Sequence, residues 1–462
     1  MQTIAQPGAG ARKKICGKER KIPMKKALSL LLALVMALSL AACGGSSSGG
    51  GSSTGGASSG GSSTGGSSSG GGSSSSQKVD EILIGNLLPL SGTAASLGKI
   101  GQQARDMAVE EINAAGGIKS MGGAQIKMIY ADSKGNSAEG VTQTEKLITQ
   151  DEVQLITGCY QSGVAMASTE VAERYQIPYF VPVPSDDQIT ARGMKYIFRL
   201  AEKTSWRNRD QVAFIQDMAA KTGTDIKTWA IVYESSSWGQ GALTALQQYI
   251  PEAGYEIVLE EPYNTGTTDL TPVCLKVKEA NPDVVLMVAY VSEAALMTNG
   301  FIEQGVKPKA FIATSGGFAD PTYFDLVGDN CEYFFDISTW EPDVNRPYSA
   351  ETNAKFTGKY GYGMNAEAVK AYAAMYIIAD ALERAGSTDP DAICAALAET
   401  NLTEGPQQMY SSEIVFDETG QMINAPLVIS QFRKVDGVMS RVSVWPESEA
   451  RVGWTAEFPY SK

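Results

Sequence analysis

The chain has 462 residues, 43% hydrophobic and 19% charged, a globular composition long enough for two or three domains. It contains no histidine, which removes Ser-His-Asp and Cys-His pairings, the HExxH zinc motif and the commonest general base near neutral pH. The formal net charge is −13, and eight basic residues against one acid, Glu19, lie ahead of Cys43, so the body of the chain is more acidic still. That balance argues against a nucleic-acid surface, which needs clustered positive charge.

Residues 1–23 are polar and basic and read as an upstream extension, with translation starting at Met24 in place of Met1. From there Met24-Lys25-Lys26 leads into the apolar run "ALSLLLALVMALSL" and then Ala41-Ala42-Cys43. A short basic region, an apolar core and small residues before a cleavage point make 24–42 a signal peptide. The apolar run is shorter than the roughly 20 residues a spanning helix needs.

Leu40-Ala41-Ala42-Cys43 resembles the lipobox of bacterial lipoproteins. The resemblance implies diacylglycerol on Cys43, which becomes the new N-terminus after cleavage. Residues 44–76 are entirely Gly, Ser, Thr and Ala, with "GSSTGG" recurring at 51 and 61. Such a segment cannot bury enough apolar surface to offset its chain entropy, so it reads as a flexible linker with a reach of about 30 Å. The GxSxG match at Gly45-Ser46-Ser47-Ser48-Gly49 lacks a flanking strand and helix and carries no nucleophile elbow.

From Val79 onward short apolar runs alternate with amphipathic stretches. The first series predicts strand 81–88, helix 99–115, strand 126–130, helix 137–149, strand 153–157, helix 163–175 and strand 179–183. A second series predicts helix 206–221, strand 228–233, helix 239–249, strand 255–260, helix 270–280, strand 283–290, helix 292–303 and strand 310–314. Helix 366–385 follows, and "EIVFDETGQ", "PLVISQFRKVDG" and "RVSVWP" close the chain as strands and a hairpin. This punctuation predicts an α/β fold of two doubly wound lobes with mostly parallel sheets.

The segment "LITGCYQSGVAMAS" runs a buried strand into a polar turn that opens a helix. Free N–H groups and the helix dipole make that turn a site for a carboxylate, with Tyr160, Gln161 and Ser162 beside it and capping as the plainer role of Ser162. In open α/β sheets ligands bind at the carboxyl ends of strands. "YFVPVPSDDQIT" puts Pro184 and Ser185 at the next strand end, while Asp186 and Asp187 read as capping residues. Trp238 and Tyr290 follow strand ends in the second series, where aromatic rings cover a small molecule.

No phosphate loop is present. Gly361-Tyr362-Gly363-Met364-Asn365-Ala366 fits a relaxed dinucleotide pattern but reads better as a helix entry capped by Asn365. Cys159, Cys274, Cys331 and Cys394 read as buried thiols, with one or two disulfides as the alternative. No cofactor and no metal site is expected.

The ordering of "ILIGNLLPLSGTAASLG", "AVEEINAAGGI", "IYADSKGNS", "GCYQSGVAMAS", "IPYFVPVPSDDQIT", "YIFRLA", "VYESSSWGQG", "NPDVVLMVAY" and "AYAAMYIIADALERAG" resembles the leucine/isoleucine/valine-binding proteins of ABC importers. The likeness spans 79–462. It implies two lobes, 77–202 plus 339–427 and 203–338 plus 428–462, joined by three crossings and closing on a ligand by a hinge motion. It places amino-acid anchors on Gln161, Ser162, Pro184 and Ser185 and closing residues on Trp238 and Tyr290. Leu97 falls where the family often has an aromatic lid. The family's acidic partner for the ammonium group falls on Ser315, leaving Asp186 or Glu293 as replacements.

The resemblance thus implies a non-enzymatic, lipid-anchored extracytoplasmic monomer. It would bind a branched-chain or other hydrophobic amino acid, an amide or a short peptide, and pass it to ABC permease subunits. A sensor accessory for a separate membrane receptor is the second reading; a surface hydrolase finds no convincing nucleophile and base. Mass spectrometry of the membrane-associated protein is expected to show a chain beginning at a diacylglycerol-modified Cys43; an unmodified Cys43 inside an intact chain overturns the lipoprotein reading.

Overall fold

The computed structural model describes residues 80–460; the extension, the signal peptide, Cys43 and the Gly/Ser linker lie outside the described residues. Five strands, β1 (Glu81–Leu88), β2 (Gln125–Asp132), β3 (Leu155–Gly158), β4 (Tyr179–Val181) and β5 (Ile197–Arg199), form a parallel sheet ordered β2-β1-β3-β4-β5. Helices cover both faces, so its inner strands are apolar almost throughout rather than alternating: in β1, Ile82, Ile84, Leu87 and Leu88 are all buried. Helix Ser137–Thr149 starts where Asn136 accepts the N–H groups of Ala138 and Glu139, a capping residue satisfying orphan donors.

The second sheet begins with β6 (Thr228–Glu234), β7 (Glu256–Tyr263), β8 (Val284–Val288), β9 (Ala310–Ala313) and β10 (Phe335–Ser338). After a separate two-stranded ribbon of β11 (Asn401–Leu402) and β12 (Ile414–Val415), it is completed by β13 (Val428–Val435) and β14 (Val438–Trp445). Read from β7, the order is β7-β6-β8-β9-β10-β13-β14, with only the last two pairings antiparallel. Its first five strands repeat the order of the first sheet. The mixed α/β class with mostly parallel sheets is as expected.

The chain passes between the two halves three times: after β5, after β10, and before β13. Following the second passage, helices Ser349–Tyr360 and Ala366–Ala385 return to the first half, where the latter packs along helix Ala95–Ala114. Asn365 caps that helix by accepting the N–H of Ala368, so the Gly361–Ala366 stretch is a helix entry. Strands β5 and β10 and helices Ser349–Tyr360 and Pro390–Ala398 add to the elements predicted from sequence. Conversely, the "EIVFDETGQ" strand shrinks to Ile414–Val415, because Asp417 turns the chain by accepting the N–H groups of Thr419 and Gln421.

Cys159, Cys274, Cys331 and Cys394 are free and buried. Burial pushes the Cys159 thiol up to about 12, so it packs as an inert apolar group. Among the described residues no helix is long and apolar enough to cross a membrane.

One close approach fixes how the second half begins. A Cβ at Gly239 would lie 1.8 Å from the carbonyl oxygen of Glu234, so strand β6 and helix Ser237–Glu252 touch backbone to backbone there. Gly241, two residues on, faces open space. Gly239→Ala is expected to lower stability by about 2–3 kcal/mol in urea unfolding, whereas Gly241→Ala is neutral or stabilising by up to about 1 kcal/mol.

Candidate functional site

The carboxyl ends of β3, β4, β6, β8 and β9 converge on one cleft lined by Tyr160, Ser162, Val183, Pro184, Ser185, Arg207, Trp238, Tyr290, Gly316, Glu367 and Lys370. In both sheets the strand order reverses beside the site, between β1 and β3 and between β6 and β8, where the helices diverge and leave a crevice. The cleft holds about 330 Å³ of space not filled by protein atoms, counting its mouth.

On the first side, helix Ser162–Tyr175 opens with Gln161 as its N-cap, whose side chain makes no capping bond. The first N–H to find a helical acceptor is that of Ala165, on Gln161 O. The N–H groups before it therefore have no partner within the helix and make its positive end. Ser162 is not the cap: its hydroxyl accepts the N–H of Asp186 at 3.3 Å, tying the β3 turn to the β4 turn. Ser185 exchanges a 2.9 Å hydrogen bond with Thr204. Asp187 accepts from the N–H and hydroxyl of Ser205 at the start of helix Thr204–Thr222, and Asp186 from the N–H of Gln188.

On the second side, Glu234 ends β6 and its buried carboxylate accepts the N–H groups of Ser236 and Gly239, which sets helix Ser237–Glu252 and with it Trp238. Tyr290 occupies the N-cap position of helix Val291–Gln304. Gly316, at φ 61°, runs so close beneath these rings that a Cβ would lie 2.6 Å from Trp238 Cη2. Trp238 and Tyr290 have ring centroids 5.3 Å apart, and Tyr290 and Tyr160 6.1 Å. The three rings form a continuous wall from one half to the other. Burial, followed by the charge of Glu367, pushes the Tyr160 phenol well up, so it stays a neutral hydrogen-bonding group.

Ionised residues complete the floor. Arg207 donates from Nη2 to Glu202 Oε1 and from Nη1 to Thr314 O at 3.1 Å. Lys370 Nζ stands 3.6 Å from Glu202 Oε2. Glu367 Oε1 accepts the Ser315 hydroxyl at 3.3 Å, while its Oε2 has no hydrogen-bond partner. Lys370 is 1% exposed. Burial holds its ammonium down to about 8, with Glu367 opposing that shift and Arg207 reinforcing it.

Of the residues singled out from sequence, Tyr160, Ser162, Pro184, Ser185, Trp238 and Tyr290 line the cleft together. Leu97 does not: it is buried with Ile100 and Ala104 on the inner face of helix Ala95–Ala114. Nor does Gln161, whose side chain points to the 133–136 loop, its Nε2 2.8 Å from where a Cβ of Gly135 would stand. Ser315 sits one residue behind the wall and reaches the cleft through Glu367. Neither Asp186 nor Glu293 lines the cleft: Asp186 accepts the N–H of Gln188, and Glu293 that of Gly266. Arg207, Glu367 and Lys370 went unnoticed in the sequence. The available signal was two charges, Glu367 and Lys370 at i and i+3, inside the otherwise uncharged stretch 366–379.

Two α/β halves of matching strand order, closed on one small polar and aromatic cleft, define a two-lobed solute-binding protein. A family model described as periplasmic binding protein matches residues 81–435, and the chain belongs to that family, whose members are extracytoplasmic substrate-binding proteins of transporters rather than enzymes. It is 30% identical over 383 residues to Leu/Ile/Val-binding protein homolog 7 of Brucella suis, covering 80% of this chain and 92% of that one. A leucine-binding protein of Thermotoga maritima shares the fold with a TM-score of 0.70 at 20% identity, over 78% of this chain and 97% of that one. A Rhodopseudomonas palustris solute-binding protein in complex with 3,4-dihydroxybenzoic acid does so at 0.70 and 22%, over 81% and 99%.

Lys370 gives the fold a pH signature. Its ammonium is held down to about 8 in the folded protein and stands near 10.4 when unfolded. Between those values the unfolded chain keeps a proton the folded one has released, so stability from this group rises with pH across that window. Urea titrations of wild type and Lys370→Met are expected to diverge in favour of wild type by about 3 kcal/mol from pH 8 to 10.4. A constant difference would place the lysine in water.

Proposed function

We propose that this protein captures an α-amino acid outside the cytoplasmic membrane and delivers it to the permease of an ABC importer. It works as a monomer, held to the membrane by lipid on Cys43 through the 44–76 linker. The lobes 77–202 plus 339–427 and 203–338 plus 428–462 close on the ligand, because contacts made to both favour the closed state by their differential affinity.

The observation that carries this reading is Glu367, a buried carboxylate with an unpartnered oxygen, in the same cleft as the open N-terminus of helix Ser162–Tyr175. A zwitterion answers both. Its carboxylate takes the helix N–H groups and the hydroxyls of Ser162 and Ser185; its ammonium takes Glu367 and the carbonyl of Pro184. Glu367 thus supplies the charge that Ser315 lacks, one hydrogen bond away. Trp238, Tyr290 and Tyr160 cover the side chain. Relatives named for leucine, isoleucine and valine make a hydrophobic side chain the starting reading.

Titration calorimetry with the common amino acids tests this. Glu367→Gln is expected to weaken the best ligand by about 30-fold or more, the low end of losing one partner of a buried charge pair. Ser162→Ala and Trp238→Ala are expected to weaken it without unfolding the protein. Unchanged affinity in the last two would place the cleft elsewhere.

A further inference from the structure

Three ionic anchor points face this one cleft, and an aliphatic amino acid uses two of them. The first accepts an anion: the start of helix Ser162–Tyr175 with the hydroxyls of Ser162 and Ser185. The second accepts a cation at Glu367, whose Oε2 is unpartnered. The third is cationic again and consists of Lys370 and Arg207. Lys370 carries three N–H donors, and its carboxylate neighbour, Glu202 Oε2, stands at 3.6 Å, beyond hydrogen-bonding distance. Arg207 has spent Nη1 and Nη2 on Thr314 and Glu202, but its Nε has no partner. Both residues line the cleft and are at least 96% buried, at 1% and 4% exposure. A buried donor left without an acceptor, as Arg207 Nε is, is costly, and Lys370 Nζ meets Glu202 Oε2 as an ion pair without a hydrogen bond.

Resting on the amino-acid reading above, we infer that the ligand is an α-amino acid whose side chain ends in an oxygen acceptor, a carboxylate or a carboxamide, received by Lys370 with Arg207. Glu367 and Lys370 are one helical turn apart on helix Ala366–Ala385, so a ligand whose ammonium meets the first has the second within reach of a short side chain. Glu202 takes Arg207 on Oε1, while its Oε2 stands near Lys370 without a hydrogen bond, so the ammonium keeps N–H donors for a ligand. A methyl-ended side chain would bury the same donors without satisfying them. A site built to hydrogen-bond a ligand group discriminates strongly against analogues that lack it.

The test is titration calorimetry of the full chain in detergent at pH 7 with L-glutamate, L-glutamine, L-leucine and L-norleucine. Glutamate or glutamine is expected to bind at least tenfold more tightly than leucine and norleucine, and which of the two leads tells carboxylate from carboxamide. Lys370→Met is expected to bring that preference to within threefold of unity. A wild-type preference under tenfold, or one for leucine, overturns the inference while leaving the amino-acid reading in place; so does a preference that survives in Lys370→Met. Should that variant fail to fold, the wild-type ratio alone decides. If none of the four binds and a thermal-shift panel of the remaining amino acids is silent, the amino-acid reading itself falls and this inference with it.

Discussion

The buried ion pair of Arg207 with Glu202 is the constraint on which the geometry of the cleft depends. Glu202 lies in the first passage between the halves, fully buried, and Arg207 on the first helix of the second half. The guanidinium also binds Thr314 O past the end of β9, and the second carboxylate oxygen faces Lys370 on a helix of the first half. One carboxylate thereby fixes the first crossing to elements on both sides. Burying such charges is costly, and losing either partner would leave the other unpaired in low dielectric, a loss of about 3–5 kcal/mol. The floor of the cleft is accordingly its most constrained part.

Around that floor the two halves contribute different chemistry. The first offers dipole and hydroxyls, from turns tied together by Ser162 and Asp186. The second offers aromatic surface, set by the Glu234 cap and by the glycine backbone beneath Trp238. The halves also meet outside the cleft: Ser96 donates to Asp320 at 2.5 Å, and Asn365 to Ala319 O at 3.3 Å. Both contacts are polar.

Most of the fold was legible because its elements announce themselves locally. Helices Ser137–Thr149 and Ala366–Ala385 have clear caps and periodicity, and the buried strands are unbroken apolar runs. β5 and β10 escaped notice because three or four residues such as Ile197–Arg199 carry too little pattern, and only pairing with β4 or β9 makes them strands. The turn residues of the site were legible for the same local reason, since Ser162, Ser185, Trp238 and Tyr290 each follow a strand end. Arg207, Glu367 and Lys370 were not, because they sit inside helices and are joined only by tertiary packing. Leu97 shows the opposite error: position in a resemblance suggested the cleft, while helical periodicity with Ile100 and Ala104 turned it to the core.

The repeated strand order has a further consequence. Two units of one topology, each complete as a sheet, read as the product of duplication, and neither contains the ionised floor within its own βα repeats. Glu202 lies in the first connecting passage, Arg207 on the helix just after it, and Glu367 and Lys370 on a helix that follows the second. The walls of the cleft therefore come from the two matching sheets and its charged floor from the segments that join them, so the same ion pair that ties the halves together also sets the polarity a solute meets.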